Sequence, residues 1–303
     1  TRRFLRWSVA GALLAIALAY GTAIGWLMAN EVQLVFVPNR TASPVAEAVA
    51  AHIERVPRTL PGGAPGLLWV MRQAERPHAP WVLYLHGNGA NLSTPENVER
   101  YDHLRTLGLQ VVTPEYPGFG ALEGTPSEAT LGAAARDAWA WLREMGVPAS
   151  SVALYGWSLG SGVATDLAST VDEHAVVLEG AFTGVDDRAR ELYPWMPIGL
   201  MIRNPFASRA RIAHIGSQLL LLHARDDTII PFAHGERLLQ AARQPKRLVA
   251  LAGGHIHPHI RDEATYLGAL REFFGEAFGP ALVPLPQGVI SRGQPARRGR
   301  VRR

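Results

Sequence analysis

The sequence predicts an α/β fold, with a mostly parallel central sheet covered by helices on both faces and preceded by one transmembrane helix. Three observations predict it. Short, nearly all-apolar runs alternate with segments of helical period along most of the chain, the mark of strands buried on both sides between helical layers. One run, residues 152–155, passes at once through Gly156-Trp157-Ser158-Leu159-Gly160 into a stretch of small residues, so that a strand, a sharp turn and a helix start follow in succession. Residues 7–28 hold no charged side chain and are rich in Ala, Leu, Ile and Gly. With 303 residues, 48% of them hydrophobic and 18% charged, the chain can bury one full core of about 250 residues and carry appendages at its ends.

Residues 7–28 are long enough, at 1.5 Å per residue, to cross a hydrocarbon core of about 30 Å. A cleaved signal would have a shorter apolar region. Arg2, Arg3 and Arg6 precede the span and Glu31 follows it, with Trp7 and Trp26 near the two interfaces, so the N-terminus is expected to face the cytoplasm and the remaining chain to lie outside, in the periplasm if the source is a Gram-negative bacterium. Strands are expected at residues 32–37, 67–71, 81–85, 109–113, 152–155, 175–178, 219–223 and 247–251. The stretch from Pro38 to Val56 reads as polar, helical or irregular. A helix is expected over 127–145, with Ser127 as its N-cap and Gly146-Val147-Pro148 as its stop, and another from Leu159 to Thr170. Residues 186–217 exceed what a connection needs, and their Tyr193-Pro194-Trp195-Met196-Pro197 cluster suits either a small cap or a surface excursion. The expected division is a cytoplasmic stub and membrane helix (1–30), an α/β domain with a short cap at about 185–217 (31–279) and a disordered basic tail (280–303).

The chemistry gathers at strand ends. Gly-x-Ser-x-Gly at 156–160 is the pattern of a nucleophile elbow, where small neighbours let the chain turn so sharply that the Ser158 hydroxyl stands clear of the sheet. His86-Gly87-Asn88-Gly89 closes the strand at 81–85, and the N–H of Asn88 or Gly89, with that of Leu159, would hold a developing oxyanion. Past the strand at 219–223 come Asp226 and Asp227, and past the last strand comes His255. An acid there can orient the imidazole, which can take the hydroxyl proton of Ser158. Glu179 is a rival acid. His255, His257 and His259 raise a metal reading, but Pro258 and the lack of a partner cluster argue against it. The chain has no cysteine, which excludes disulfides, thiolate metal sites and a cysteine nucleophile. Its net charge of +4 is concentrated toward the ends, with Arg292, Arg297, Arg298, Arg300, Arg302 and Arg303 in the last dozen positions. Such a tail could touch anionic lipid, but a merely solubilising role is favoured, and no nucleic acid partner fits a domain held outside the cell membrane.

The ordered set His86-Gly87-Asn88-Gly89, Gly156-Trp157-Ser158-Leu159-Gly160, Tyr193-Pro194-Trp195-Met196-Pro197, Asp227-Thr228-Ile229-Ile230-Pro231 and Gly254-His255 resembles the α/β-hydrolase superfamily, closest to its membrane-anchored serine hydrolases with short caps. The resemblance covers roughly residues 32–278. It implies an α/β-hydrolase fold with Ser158 as nucleophile, His255 as base and Asp227 as the acid, since that branch places the acid four residues before the proline, here Pro231. Asn88 and Leu159 would form the oxyanion hole. Ala121, where a serine is common after Gly-Phe-Gly, and Ile-His-Pro-His after His255 depart from the family pattern. The implied activity is hydrolysis of an ester, thioester or lipid-like acyl substrate through an acyl-enzyme, with no cofactor and no metal. A peptidase of the same fold, and a catalytically idle membrane-tethered binding module, are the alternatives. The sequence sets no oligomeric state.

Overall fold

Successive residues of a strand point to opposite faces of its sheet, and both faces here are apolar. Leu83 and Leu85 enter one core layer with Leu154, Val176 and Leu221, while Val82 and Tyr84 enter the other with Tyr155, Val177 and Leu222. A computed structural model describes residues 2–282. Among them eight strands form one sheet, namely β1 (Glu54–Thr59), β2 (Pro65–Met71), β3 (Trp81–Leu85), β4 (Gln110–Pro114), β5 (Val152–Trp157), β6 (Ala175–Glu179), β7 (Gln218–Ala224) and β8 (Lys246–Leu251). Their order is β1-β2-β4-β3-β5-β6-β7-β8. The pairings β1·β2 and β2·β4 are antiparallel and the other five are parallel.

The chain steps from β3 outward to β4, then returns past β3 to β5. That reversal opens a crevice beyond the carboxyl ends of β3 and β5, where ligands of open α/β sheets bind. Both His86-Gly87-Asn88-Gly89 and Ser158 stand at this place. The helix Glu128–Glu144 crosses from β4 to β5 and is closed at its start by a capping box, in which the Ser127 side chain accepts from Thr130 N–H and Thr130 Oγ1 accepts from Ser127 N–H. The helix Leu159–Ala168 follows β5 directly.

Two expectations need correction. Residues 32–37, read as a strand, begin as the helix Glu31–Val35 and become extended only at Phe36. The β propensity of its valines is overridden by tertiary contacts: Glu31 is buried against backbone N–H groups of Arg203 and Asn204, and Val32 and Val35 pack on the core. The first strand is instead β1, which begins at the end of the stretch read as polar, helical or irregular and runs past it to Thr59. It is an edge strand with a mostly exposed, charged face, so it lacks the apolar run that marks its neighbours. The N-terminal helix α1 (Arg2–Ala29) contains an apolar span, Arg6–Ala29, of which no part is buried. Of the tail expected over 280–303, the first residues belong to a 3-10 turn, Gly279–Ala281, and those beyond Leu282 lie outside the described residues.

Candidate active site

The turn between β5 and the helix Leu159–Ala168 is a single residue, Ser158, at φ +52° and ψ −119°. A side chain seldom adopts such a backbone, and its cost of roughly 1–3 kcal/mol is tolerated only where surrounding packing imposes it. The glycines on either side explain the packing. A Cβ on Gly156 would lie 2.4 Å from Gly160 O, and one on Gly160 would lie 2.0 Å from Leu85 O, so only glycine lets β5, its helix and β3 close together. The Ser158 N–H donates to Glu179 O of β6 at 2.9 Å, which holds the turn to the neighbouring strand.

Three of the expected residues, from three separate strand ends, meet at hydrogen-bond distance. Ser158 Oγ lies 2.7 Å from His255 Nε2, and His255 Nδ1 lies 2.6 Å from Asp227 Oδ2. Asp227 is buried, and its Oδ1 accepts from Ile229 N–H at 2.9 Å and Ile230 N–H at 2.8 Å. Burial alone would raise its pKa, but hydrogen bonding with His223 and His255 and the Ile230 N–H together hold it well below the usual carboxylate range. An ionised Asp227 fixes the proton of His255 on Nδ1 and leaves Nε2 free to accept from the Ser158 hydroxyl.

The rival acids stand elsewhere. Asp226 is exposed and accepts from the N–H groups of Gly253 and Gly254, each at 3.0 Å, so it ties down the loop that carries His255 without reaching the ring. Glu179 is buried and takes both arms of the equally buried Arg100, at 2.9 and 2.5 Å. Burial would raise the Glu179 pKa, but the guanidinium keeps it ionised. The three histidines diverge. His259 Nε2 lies 3.0 Å from Glu99 and His257 3.7 Å from Glu96, both on the helix Pro95–Thr106, whereas His255 faces Ser158.

Asn88 and Leu159 both line the cleft above Ser158. Leu159 opens its helix, where the first N–H groups have no intrahelical acceptor. The Asn88 side chain has a part that its sequence position does not signal. Its Nδ2 donates to Val35 O at 2.7 Å and its Oδ1 accepts from Val37 N–H at 2.8 Å, clamping the turn after β3 to the segment that follows α1. The cleft, about 690 Å³ in volume, is walled by Leu27 and Leu34 of the N-terminal segment, Trp195, Met196 and Met201 of the β6–β7 excursion, and Ile230. Ala121 is exposed and lines a different cleft of about 410 Å³.

Sequence reasoning missed Arg100 and His223. Arg100 lies among ordinary polar residues of a helix and carries no local sign of burial. It sits 4.1 Å over the Trp157 ring and donates to Ile256 O at 3.2 Å, joining the residue before Ser158 to the residue after His255. His223 had a weak signal, an imidazole ending an otherwise apolar strand. Its Nε2 donates to Ile230 O at 2.8 Å and lies 3.5 Å from Asp227 Oδ2.

Comparison with known proteins adds four findings. A family profile described as alpha/beta hydrolase fold matches residues 80–214. An uncharacterized protein of Mycobacterium tuberculosis is 33% identical over 264 residues, covering 86% of this chain and 93% of that one. Lysophosphatidylserine lipase ABHD12 of Danio rerio is 33% identical over 198 residues, covering 59% of this chain and 51% of its own length, so the chain spans about half of that relative. Among solved structures, Pyrococcus furiosus esterase Pf2001 superposes with a TM-score of 0.67 at 15% identity, over 79% of this chain and 98% of that one, a likeness of fold.

Proposed function

The chain belongs to the α/β-hydrolase superfamily, and on that premise we propose that it is a serine hydrolase cleaving an ester, thioester or similar acyl bond through an acyl-enzyme. The observation that carries this reading is the unbroken line Asp227–His255–Ser158 at the floor of an apolar cleft. Ser158 Oγ attacks the acyl carbonyl as its proton passes to His255 Nε2, and ionised Asp227 stabilises the imidazolium. The N–H groups of Asn88 and Leu159 receive the negative charge on the carbonyl oxygen, each contributing a factor of about 10²–10³. The leaving alcohol or thiol takes the proton from Nε2, and water then repeats the sequence to release the acid. Every atom in these steps comes from substrate, water and protein, so no cofactor enters.

The apolar walls of the cleft support a lipid-derived acyl group, as does similarity to relatives named lysophosphatidylserine lipase. The reading includes α1 as a single membrane span with the sheet domain (31–279) outside, and residues 185–217 as a short cap over Ser158. The apolar span Arg6–Ala29, none of it buried and preceded by Arg2 and Arg3, supports that topology.

Labelling with a fluorophosphonate tests the nucleophile. Ser158→Ala is expected to abolish labelling and to lower turnover by several orders of magnitude while the fold remains, because the hydroxyl is lost and the turn keeps a Cβ. Equal labelling of both proteins would reject Ser158.

A further inference from the structure

The N-terminal segment is bonded to the β6–β7 excursion at two levels of its helix and once just past the helix end. Tyr20 Oη donates to Trp195 O at 2.9 Å, with the two rings 6.5 Å apart. Nearer the end of the helix, Met28 O accepts from Arg203 Nη2 at 3.2 Å. Just past the helix, the buried Glu31 carboxylate accepts from the Arg203 and Asn204 N–H groups, at 2.9 and 3.0 Å, and from the Asn204 side chain. The excursion therefore rides on the helix itself. Tyr20 precedes the last residue of the span by nine positions, so its backbone lies about 13 Å down the helix axis from that end, and its hydroxyl meets Trp195 beside that part of the helix.

A hydrocarbon core is about 30 Å thick, so a residue set that far along a spanning helix is inside the nearer leaflet. The exposed side chains around it suit that place. Leu192, Tyr193, Trp195 and Leu200 are 53%, 51%, 66% and 77% exposed. They continue the bare surface of α1, where Leu13, Leu14 and Leu18 are each more than 60% exposed. On the same excursion Arg190 pairs with Asp186 and Asp187, and Arg188 with Glu191.

We infer that the face formed by Leu192, Tyr193, Trp195 and Leu200 is seated in the leaflet that α1 leaves, so that the Ser158 cleft meets acyl chains rather than water. This rests on the reading of α1 as a membrane span. The cleft and the inserted face share walls, since Leu27 of α1 and Trp195 both line the space that ends at Ser158. An acyl chain in that leaflet can thus reach the hydroxyl without leaving apolar surroundings.

The absence of cysteine makes the test direct. Single variants Leu14→Cys, Leu192→Cys, Leu200→Cys and Met145→Cys of the full chain are nitroxide-labelled, reconstituted in phosphatidylcholine–phosphatidylglycerol vesicles and compared for collision with oxygen and with a water-soluble nickel complex. Met145 precedes β5, at the end of the sheet away from Ser158, and serves as the aqueous reference. Positions 14, 192 and 200 are expected to favour oxygen and exclude nickel, and position 145 the reverse. If 192 and 200 behave like 145 while 14 stays in hydrocarbon, the inserted face is overturned and the membrane span stands. If 14 also behaves like 145, the span itself falls and the inference with it. Exclusion of both reagents at 192 and 200 would mean that protein, such as a second copy, covers the face, which also overturns it.

Discussion

Asp226 and Asp227 are adjacent, yet one is exposed and holds the backbone of the histidine loop while the other is buried and holds the imidazole. Asp227→Asn is therefore expected to lower turnover by about 10⁴, because an amide favours the wrong imidazole tautomer, and Asp226→Asn by far less. Steady-state kinetics on both variants checks the assignment, and a more damaging Asp226→Asn would reverse it. Asp227 has its pKa depressed, so its ionic contacts stabilise the fold above the ordinary carboxylate range near pH 4, and that contribution is lost as pH falls through the lowered value. Glu173 has the opposite sign. Burial pushes it up to about 7, while Ser217 donates to its Oε1 at 2.6 Å and its Oε2 has no partner. The folded state then holds the extra proton between about pH 4.5 and 7, and stability declines as pH rises through that window. Glu173→Gln is expected to be more stable than the parent by on the order of 1–3 kcal/mol at pH 8 and close to it at pH 4.5. Thermal melts at the two pH values decide it, and an equal difference at both would refute the raised pKa.

At the scale of elements, Arg100 binds four pieces into one frame: its own helix through Glu96 O at 2.9 Å, β6 through Glu179, the Trp157 ring at the end of β5, and the His255 loop through Ile256 O. A fully buried ion pair is costly to break from one side because the remaining charge is left without compensation. Arg100→Leu is expected to destabilise the domain by about 3–5 kcal/mol, and the double variant Arg100→Leu/Glu179→Leu by less than Arg100→Leu alone. Chemical unfolding of the full chain in detergent measures that cycle, and additive losses would show that the pair acts as two independent contacts. The elements themselves were unequally legible. The central strands, buried on both faces, carry continuous apolar runs and stand where the sequence predicts them, with ends differing by a residue or two. Edge strand β1 lacks such a run, and Glu31–Val35 took helical form through contacts with Arg203 and Asn204 that lie far along the chain.

For the whole molecule, the sheet domain is held against its own N-terminal helix, and the cleft at Ser158 includes side chains from both. Specificity is then expected to climb with acyl length, since each buried methylene contributes about 0.8 kcal/mol until the cleft is full. In kcat/KM for p-nitrophenyl esters from acetate to palmitate, at constant detergent below micelle formation, that is roughly a fourfold gain per methylene. A flat series, or one highest at acetate, would move the reading to a tethered esterase for small substrates.

The sequence by itself determined what depends on short-range pattern and chain order: a sheet buried on both faces, the one-residue turn at Ser158 between glycines, and acids and a histidine that follow it at strand ends. These features are local because strand burial and turn sterics act over a few residues. The tertiary structure alone decided what depends on meetings across the chain. It joined Asn88 to Val35 and Val37, buried Glu31 under Asn204, set Tyr20 beside Trp195 and placed Arg100 between Glu179 and Ile256. Each of these rests on partners brought together by the packing of whole elements, and hydrogen-bond geometry between residues so far apart leaves no periodicity in the chain to read.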